Sequence, residues 1–259
     1  MSKLVKNLQK FKLITFDLSD TLVKFKRPPG IVYAETATAL GLPSVDPQKL
    51  AAQFSSNFKQ MDRDYPNFGR NVMGWDTWWE KLIFNIFKSA GTELNPDELY
   101  HLTSELIDKF ETDECYEVQD GAIELIEKIK DIDKIVGIVS NFDPRLRYLV
   151  ENMKLPQFDF VVGSYEAGAA KPDPSIFDLA LKMTNFNAFS EQSLHIGNTP
   201  TLDYVAAKEA DWSGALITNG QTGWMLHKDK INENHVFESL QDFLRKLETD
   251  DIEWDETTK

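Results

Sequence analysis

The chain has 259 residues, and its 28 Lys and Arg stand against 42 Asp and Glu, a formal net charge of −14. With 42% hydrophobic and 27% charged residues it has ordinary globular composition, enough for a sizeable core and one large domain or a core with a second unit, which excludes a chain disordered throughout. The acidity excludes a nucleic-acid-coating or anionic-lipid-docking surface, the single Cys115 excludes an internal disulfide, and no apolar run approaches the roughly 20 residues of a membrane span.

In chain order, Lys3, Lys6, Lys10 and Lys12 make a basic start without the long apolar stretch of a secretory signal. Leu13–Phe16 is a short, β-prone apolar run ending at Asp17, read as a buried strand. From 24 to 116 the pattern turns helical, with segments near 31–41, 47–61, 76–90 and 95–112. Asp46-Pro47 and Asn95-Pro96 are helix starts, and Gly41 and Gly91 are stops. After Asp120-Gly121 helices and strands alternate: helix 122–130, strand 134–139, helix 145–153, strand 158–162, helix 174–184, strand 193–196, helix 203–210, strand 215–218 and helix 236–247. This rhythm predicts an α/β fold with a doubly wound parallel sheet, whose ligands sit at the carboxyl ends of the strands. The first strand belongs with that sheet, so residues 1–23 and 117–247 are expected to form the core and 24–116 an inserted helical unit. Residues 248–259, with a net charge of −5, read as a disordered acidic tail.

Four groups collect at one edge of such a sheet: Asp17, Ser140-Asn141, Lys171-Pro172, and Gly197-Asn198 followed by Asp203. A carboxylate, a hydroxyl–amide pair, a lysine and a Gly-containing turn are the components of a site that acts on a phosphoryl group. Asp17-Leu18-Ser19-Asp20-Thr21, Ser140, Lys171-Pro172 and Gly197-Asn198 with Asp203 stand in the order and spacing of the four motifs of the haloacid dehalogenase superfamily, which the chain resembles. Arg63–Gly69, Trp78-Trp79, Ser140–Leu146 and Lys171–Pro174 resemble its hydrolase domain-containing protein 3 subgroup.

The resemblance implies a Rossmann-like core, a helical cap over the site, and a phosphatase-type hydrolase. On that pattern Asp17 is the nucleophile, and Ser140, Asn141 and Lys171 bind the phosphoryl group. Mg²⁺ is bound by Asp17, the Ser19 carbonyl and position 198, with Asp203 assigned to the same group. Two departures remove carboxylates. Ser19 replaces the general acid/base Asp, and Asn198 replaces a metal-binding Asp. A serine hydroxyl is too weak an acid to protonate a leaving oxygen near neutral pH, and an amide brings no charge to a hard cation. The expectation is therefore weak or specialised activity on a small phosphorylated metabolite. The alternatives are an inactive member that binds a ligand or protein, and metal-independent dehalogenase-type hydrolysis. Asp20 reads as a turn residue, with a stand-in acid as its other role. Trp75, Trp78 and Trp79 read as packing, His195 as structural, and Arg145 and Arg147 as exposed. An intracellular setting, cytoplasm or nucleus, is expected; substrate and oligomeric state are not expressed in the sequence.

Overall fold

Leu13–Phe16, three apolar residues and one threonine, are all buried, as a strand covered on both faces must be. The computed structural model describes residues 1–185 and 187–255. In chain order its elements are α1 Lys3–Leu8, β1 Leu13–Phe16, β2 Val23–Phe25, α2 Pro29–Ala39, α3 Pro47–Asp64, α4 Trp75–Ser89, α5 Pro96–Lys109, β3 Tyr116–Val118, α6 Ala122–Lys130, β4 Ile135–Ser140 and α7 Leu146–Asn152. Then follow β5 Phe160–Gly163, α8 Ser164–Ala167, α9 Ser175–Met183, β6 Ser193–Gly197, a wide π-type turn Pro200–Val205, α10 Ala206–Glu209, β7 Ser213–Ile217, β8 Val236–Phe237 and α11 Leu240–Thr249. The chain divides into two compact units, one of residues 1–24, 118–141 and 155–259, the other of 25–117 and 142–154.

The first unit holds a six-stranded sheet in the order β5-β4-β1-β6-β7-β8, and every adjacent pair is parallel. β1 lies between β4 and β6, so the chain fills the sheet in one direction through β4 and β5 and in the other through β6 to β8. That reversal is the topological switch point, where a crevice opens beyond the strand ends. The fold is thus the α/β, doubly wound arrangement expected. The helical pattern read over 236–247 begins instead with β8. Val236 and Phe237 pair with Leu216 and Ile217, and Ser239 caps α11 by accepting from the Asp242 N–H.

The second unit contains α2 to α5 and, with them, residues 142–154. The sequence assigns 142–154 to the sheet unit, and two buried charges explain the difference. Arg145 is only 4% exposed and Asp143 1%. Arg145 Nη2 donates to Asp143 Oδ2 at 2.6 Å, its Nε to Oδ1 at 2.9 Å, and Trp79 Nε1 donates to Oδ2 at 2.8 Å. The guanidinium lies 5.3 and 4.9 Å from the Trp75 and Trp79 ring centres. Arg145 is therefore not an exposed helix residue, because a bidentate carboxylate and two aromatic faces replace its water. Trp78 is fully buried and packs edge-on against Phe58 and Phe68, as the packing reading expects.

The acidic tail is a second correction for the part described. Asn7 Nδ2 donates to the carbonyls of Leu247 and Asp250, and its Oδ1 accepts from the Ile252 N–H, which caps the end of α11 and turns the chain back. Asp251 pairs with Lys3 and Lys6 at 2.6 and 2.7 Å. Trp254 stacks on His235 at 4.9 Å and meets Phe11 edge-on at 5.1 Å. The basic start of the chain neutralises its acidic end, and Trp254 supplies apolar area. Residues 256–259, also assigned to the tail, lie outside the described residues. Replacing Trp254→Ala is expected to lower unfolding free energy by about 1–3 kcal/mol, the scale of truncating a partly buried aromatic. Urea denaturation read by circular dichroism measures this; an unchanged midpoint would mean the segment is not held.

Candidate active site

Side chains alternate faces along a strand, so Thr15 and Asp17 project to one side of β1, and His195 and Gly197 to one side of β6. The Asp17 N–H extends the β1–β6 ladder by donating to the Ile196 carbonyl at 2.9 Å. This sets the Asp17 carboxyl, 7% exposed, at the strand ends. Gly197 is needed next to it: a Cβ there would lie 2.2 Å from the Asp203 Cγ. Without that atom, Asp203 on the wide turn reaches in and accepts from the Thr199 N–H with Oδ2 at 2.7 Å.

Lys171 closes the group. Its Nζ lies 2.7 Å from Asp17 Oδ1, 2.6 Å from Asp203 Oδ1 and 3.0 Å from the Val139 carbonyl, with His195 Nε2 at 3.5 Å. Its backbone is fixed by Asn141, whose Oδ1 accepts from the Lys171 N–H at 2.7 Å while Nδ2 donates to the Lys171 carbonyl at 2.8 Å. Asn141 thus spends both ends of its amide on the lysine backbone. It sets the lysine in place, a role the sequence assignment did not include. Ser140, buried at the end of β4, pairs in register with Gly163 and keeps its place at the same edge.

The charges are unequally shared. Burial raises the Asp17 carboxyl above its usual range, Lys171 opposes this, and the Asp203 charge adds to it. Asp203 is equally buried but is held well below the carboxylate range by Lys171 and by hydrogen bonding from His195. Burial alone would lower the Lys171 ammonium, but its two carboxylates outweigh that and raise it. Burial, with the neighbouring ammonium, lowers His195 and keeps the ring neutral.

Asp203 is engaged largely within the protein. Lys171 and His195 engage its Oδ1, and Thr199 engages Oδ2. Asn198 Oδ1 accepts from the Thr21 and Thr199 hydroxyls at 3.3 and 3.4 Å, long contacts that a rotating hydroxyl can release. Ser19 forms an isolated bridge with Val23. Asp20 occupies the left-handed region at φ 57°, and its carbonyl accepts from Gln119 and Asn219, so it is the turn residue expected. Among the described residues no three His, Cys, Asp or Glu side chains gather to hold a metal ion. The remaining donor set is the second Asp17 oxygen, the Ser19 carbonyl and the Asn198 amide oxygen. Mg²⁺ commonly takes one or two carboxylates, retains waters and completes its shell with substrate phosphate, so these donors fit it with a single protein charge.

A buried aspartate, the lysine paired with it and a second aspartate thus stand together at the switch point of a parallel α/β sheet, a grouping found at hydrolase sites of this topology. Residues 11–211 match the family model for haloacid dehalogenase-like hydrolases, and the chain belongs to that family. It is 38% identical to the Rhythmically expressed gene 2 protein of Drosophila melanogaster, over 96% of this chain and 100% of that protein. It is 31% identical to Haloacid dehalogenase-like hydrolase domain-containing protein 3 of Xenopus laevis, over 91% and 95% of the two chains. Among solved structures, the HAD-hydrolase YfnB of Bacillus subtilis bound to magnesium aligns with a TM-score of 0.71 at 17% identity, covering 92% of this chain and 98% of that one. The defluorinating L-2-haloacid dehalogenase Rha0230 aligns at 0.70 and 16%, covering 92% and 95%. Both show the shared fold.

The sequence reading took His195 as structural without placing it beside Asp203, and did not single out Thr15, the Val139 carbonyl or the Thr199 N–H. For the first two the signal was period two: His195 shares a strand face with Gly197, and Thr15 with Asp17. Replacing Lys171→Met leaves two buried carboxylates facing each other and is expected to cost about 3–5 kcal/mol of stability. Adding Asp17→Asn to that variant should recover part of the loss; no recovery in urea denaturation would show that the carboxylates do not repel. His195 gives a pH dependence. The unfolded ring takes a proton near pH 6.5 and the folded ring only at lower pH, so stability falls as pH drops below about 6.5, by up to about 1.4 kcal/mol per pH unit from this group. Denaturation of the parent and of His195→Asn across pH 5.5–7.5 should show a shallower slope in the variant.

Proposed function

We propose that the protein is an aspartate-nucleophile phosphatase that acts on small phosphate esters or anhydrides whose leaving group departs readily as an anion. The observation that carries this reading is the buried Asp17–Lys171–Asp203 arrangement, complete at the strand ends, beside Ser19 where a general acid would stand. Lys171 opposes the burial that favours a neutral Asp17, orients its carboxyl and offsets charge on the transferred group. An Asp17 oxygen attacks phosphorus, and the bond from phosphorus to the leaving oxygen breaks. Water then attacks phosphorus, releasing inorganic phosphate and returning the Asp17 carboxylate, with one proton passing to solvent. Bound at Asp17, Ser19 and Asn198, Mg²⁺ would offset the substrate's negative charge.

Ser19 cannot protonate the departing oxygen, and general acid–base help is typically worth about 10²–10⁴-fold. Substrates that leave as stable anions need that help least. The family relationship and the magnesium-bound fold neighbour support the chemistry, and the small-metabolite class remains part of the proposal.

A second reading, metal-independent hydrolysis of 2-haloacids through the same Asp17, is favoured by the neutral Asn198 and Ser19 and by the dehalogenases that share the fold. Phosphate and halide release from p-nitrophenyl phosphate, an alkyl phosphate and a 2-haloacid, each with Mg²⁺ or a chelator, separates the two. The expected result is Mg²⁺-stimulated, Asp17-dependent release that strongly favours the aryl ester. Ser19→Asp should raise alkyl phosphate turnover by at least about tenfold, within the general-acid range. Turnover surviving Asp17→Asn would overturn the nucleophile assignment, and chelator-insensitive halide release would select the second reading.

A further inference from the structure

We propose that His195 is a positioning residue of this site: its Nε2–H holds Asp203, so that the Lys171 ammonium stays shared with Asp17. The proposal rests on the reading of Asp17 as the nucleophile. An ammonium has three N–H groups, and Lys171 Nζ meets three oxygens, those of Asp17, Asp203 and Val139, at 2.7, 2.6 and 3.0 Å. No lysine hydrogen is left for His195 Nε2 at 3.5 Å.

Nε2 therefore keeps its own hydrogen, and the acceptor before it is Asp203 Oδ1 at 3.2 Å. In the neutral ring Nδ1 is then an acceptor, and the Thr15 hydroxyl supplies the donor at 2.8 Å. Thr15 stands directly opposite His195 in the β1–β6 register, and its hydroxyl, able to donate or accept, meets the lone pair that Asp203 leaves at Nδ1. The ring is fully buried and meets Phe177 edge-on at 5.2 Å. It has no place to rotate into solvent.

The consequence is an asymmetry between the carboxylates. Asp203 receives hydrogen bonds from Lys171, His195 and Thr199, whereas the described bond to the Asp17 side chain comes from Lys171 alone. Because His195 and Thr199 satisfy part of the Asp203 charge, the ammonium is not drawn wholly to that side. Without the Nε2–H, Asp203 leans harder on Lys171, and the nucleophile loses orientation. His195 touches no reacting atom; it acts through Asp203 and Lys171.

Two variants isolate the donor. His195→Gln places an amide N–H near the Nε2 position, whereas His195→Asn keeps a polar group near Nδ1 but does not reach Asp203. With p-nitrophenyl phosphate and Mg²⁺, Asn is expected to lower kcat by about tenfold or more, the rate equivalent of one hydrogen bond to a charged group, with KM nearly unchanged. Gln should restore kcat to within about threefold of the parent, on the same hydrogen-bond scale. Equal losses in both variants, or a change confined to KM, would overturn the proposal. A second measurement does not need turnover: ¹⁵N spectra of the parent ring should show the proton on Nε2 between pH 6 and 8, and a proton on Nδ1 there overturns the arrangement. A parent without turnover sinks the Asp17 reading, while the ring spectrum still decides the His195 arrangement.

Discussion

A single ammonium, Lys171 Nζ, sits in the protein interior between two carboxylates, and the edge of the sheet is built around it. Removing an ion from water costs several kcal/mol even after relaxation, so the structure must return oxygens at close range. It does so from three separate strand ends: Asp17 after β1, the Val139 carbonyl near the end of β4, and Asp203 beyond β6. Gly197 leaves the space through which Asp203 enters, and Asn141 fixes the lysine backbone at both its N–H and its carbonyl. Each of these residues is intelligible only through that one charge.

One cation against two carboxylates leaves the group with a net negative charge, and this shapes how the substitutions at 19 and 198 act. A carboxylate at either position would add anionic character beside Asp17, tolerable chiefly with a bound dication. Serine and asparagine lower that demand. On the proposed reading they also remove the proton donor and one charged metal ligand, so that loss of catalytic range and relief of repulsion would be two sides of the same change. On that reading the chemistry depends on how the Lys171 charge is divided between Asp17 and Asp203.

The segment after β4 shows a division of labour within a few residues. Ser140 and Asn141 belong to the sheet unit, where Asn141 serves Lys171. Residues 142–154 belong to the helical unit, where Asp143 and Arg145 form a second buried ion pair against Trp75 and Trp79. Both pairs survive burial for one reason: several geometrically matched partners replace the lost water. The terminal segments use a weaker form of complementarity, with exposed lysines near the start opposite acids near the end, and packing by Trp254.

Much of this was legible in the sequence. The buried run Leu13–Phe16, the helix–strand alternation after residue 120 and the helical spacing of 24–116 are local patterns, set by side-chain periodicity and by Pro and Gly at element ends. The candidate residues Asp17, Lys171 and Asp203 follow from strand ends plus family order, and the missing carboxylates at 19 and 198 can be read directly. What only the tertiary structure decided is pairing at a distance: that Asn141 holds the Lys171 backbone, that Asp203 meets Lys171, His195 and Thr199, that Arg145 is buried, and that the acidic end is held by the basic start. No periodicity encodes these, because each depends on two groups far apart in the chain meeting at hydrogen-bond range, and burial then gives that meeting its energetic weight.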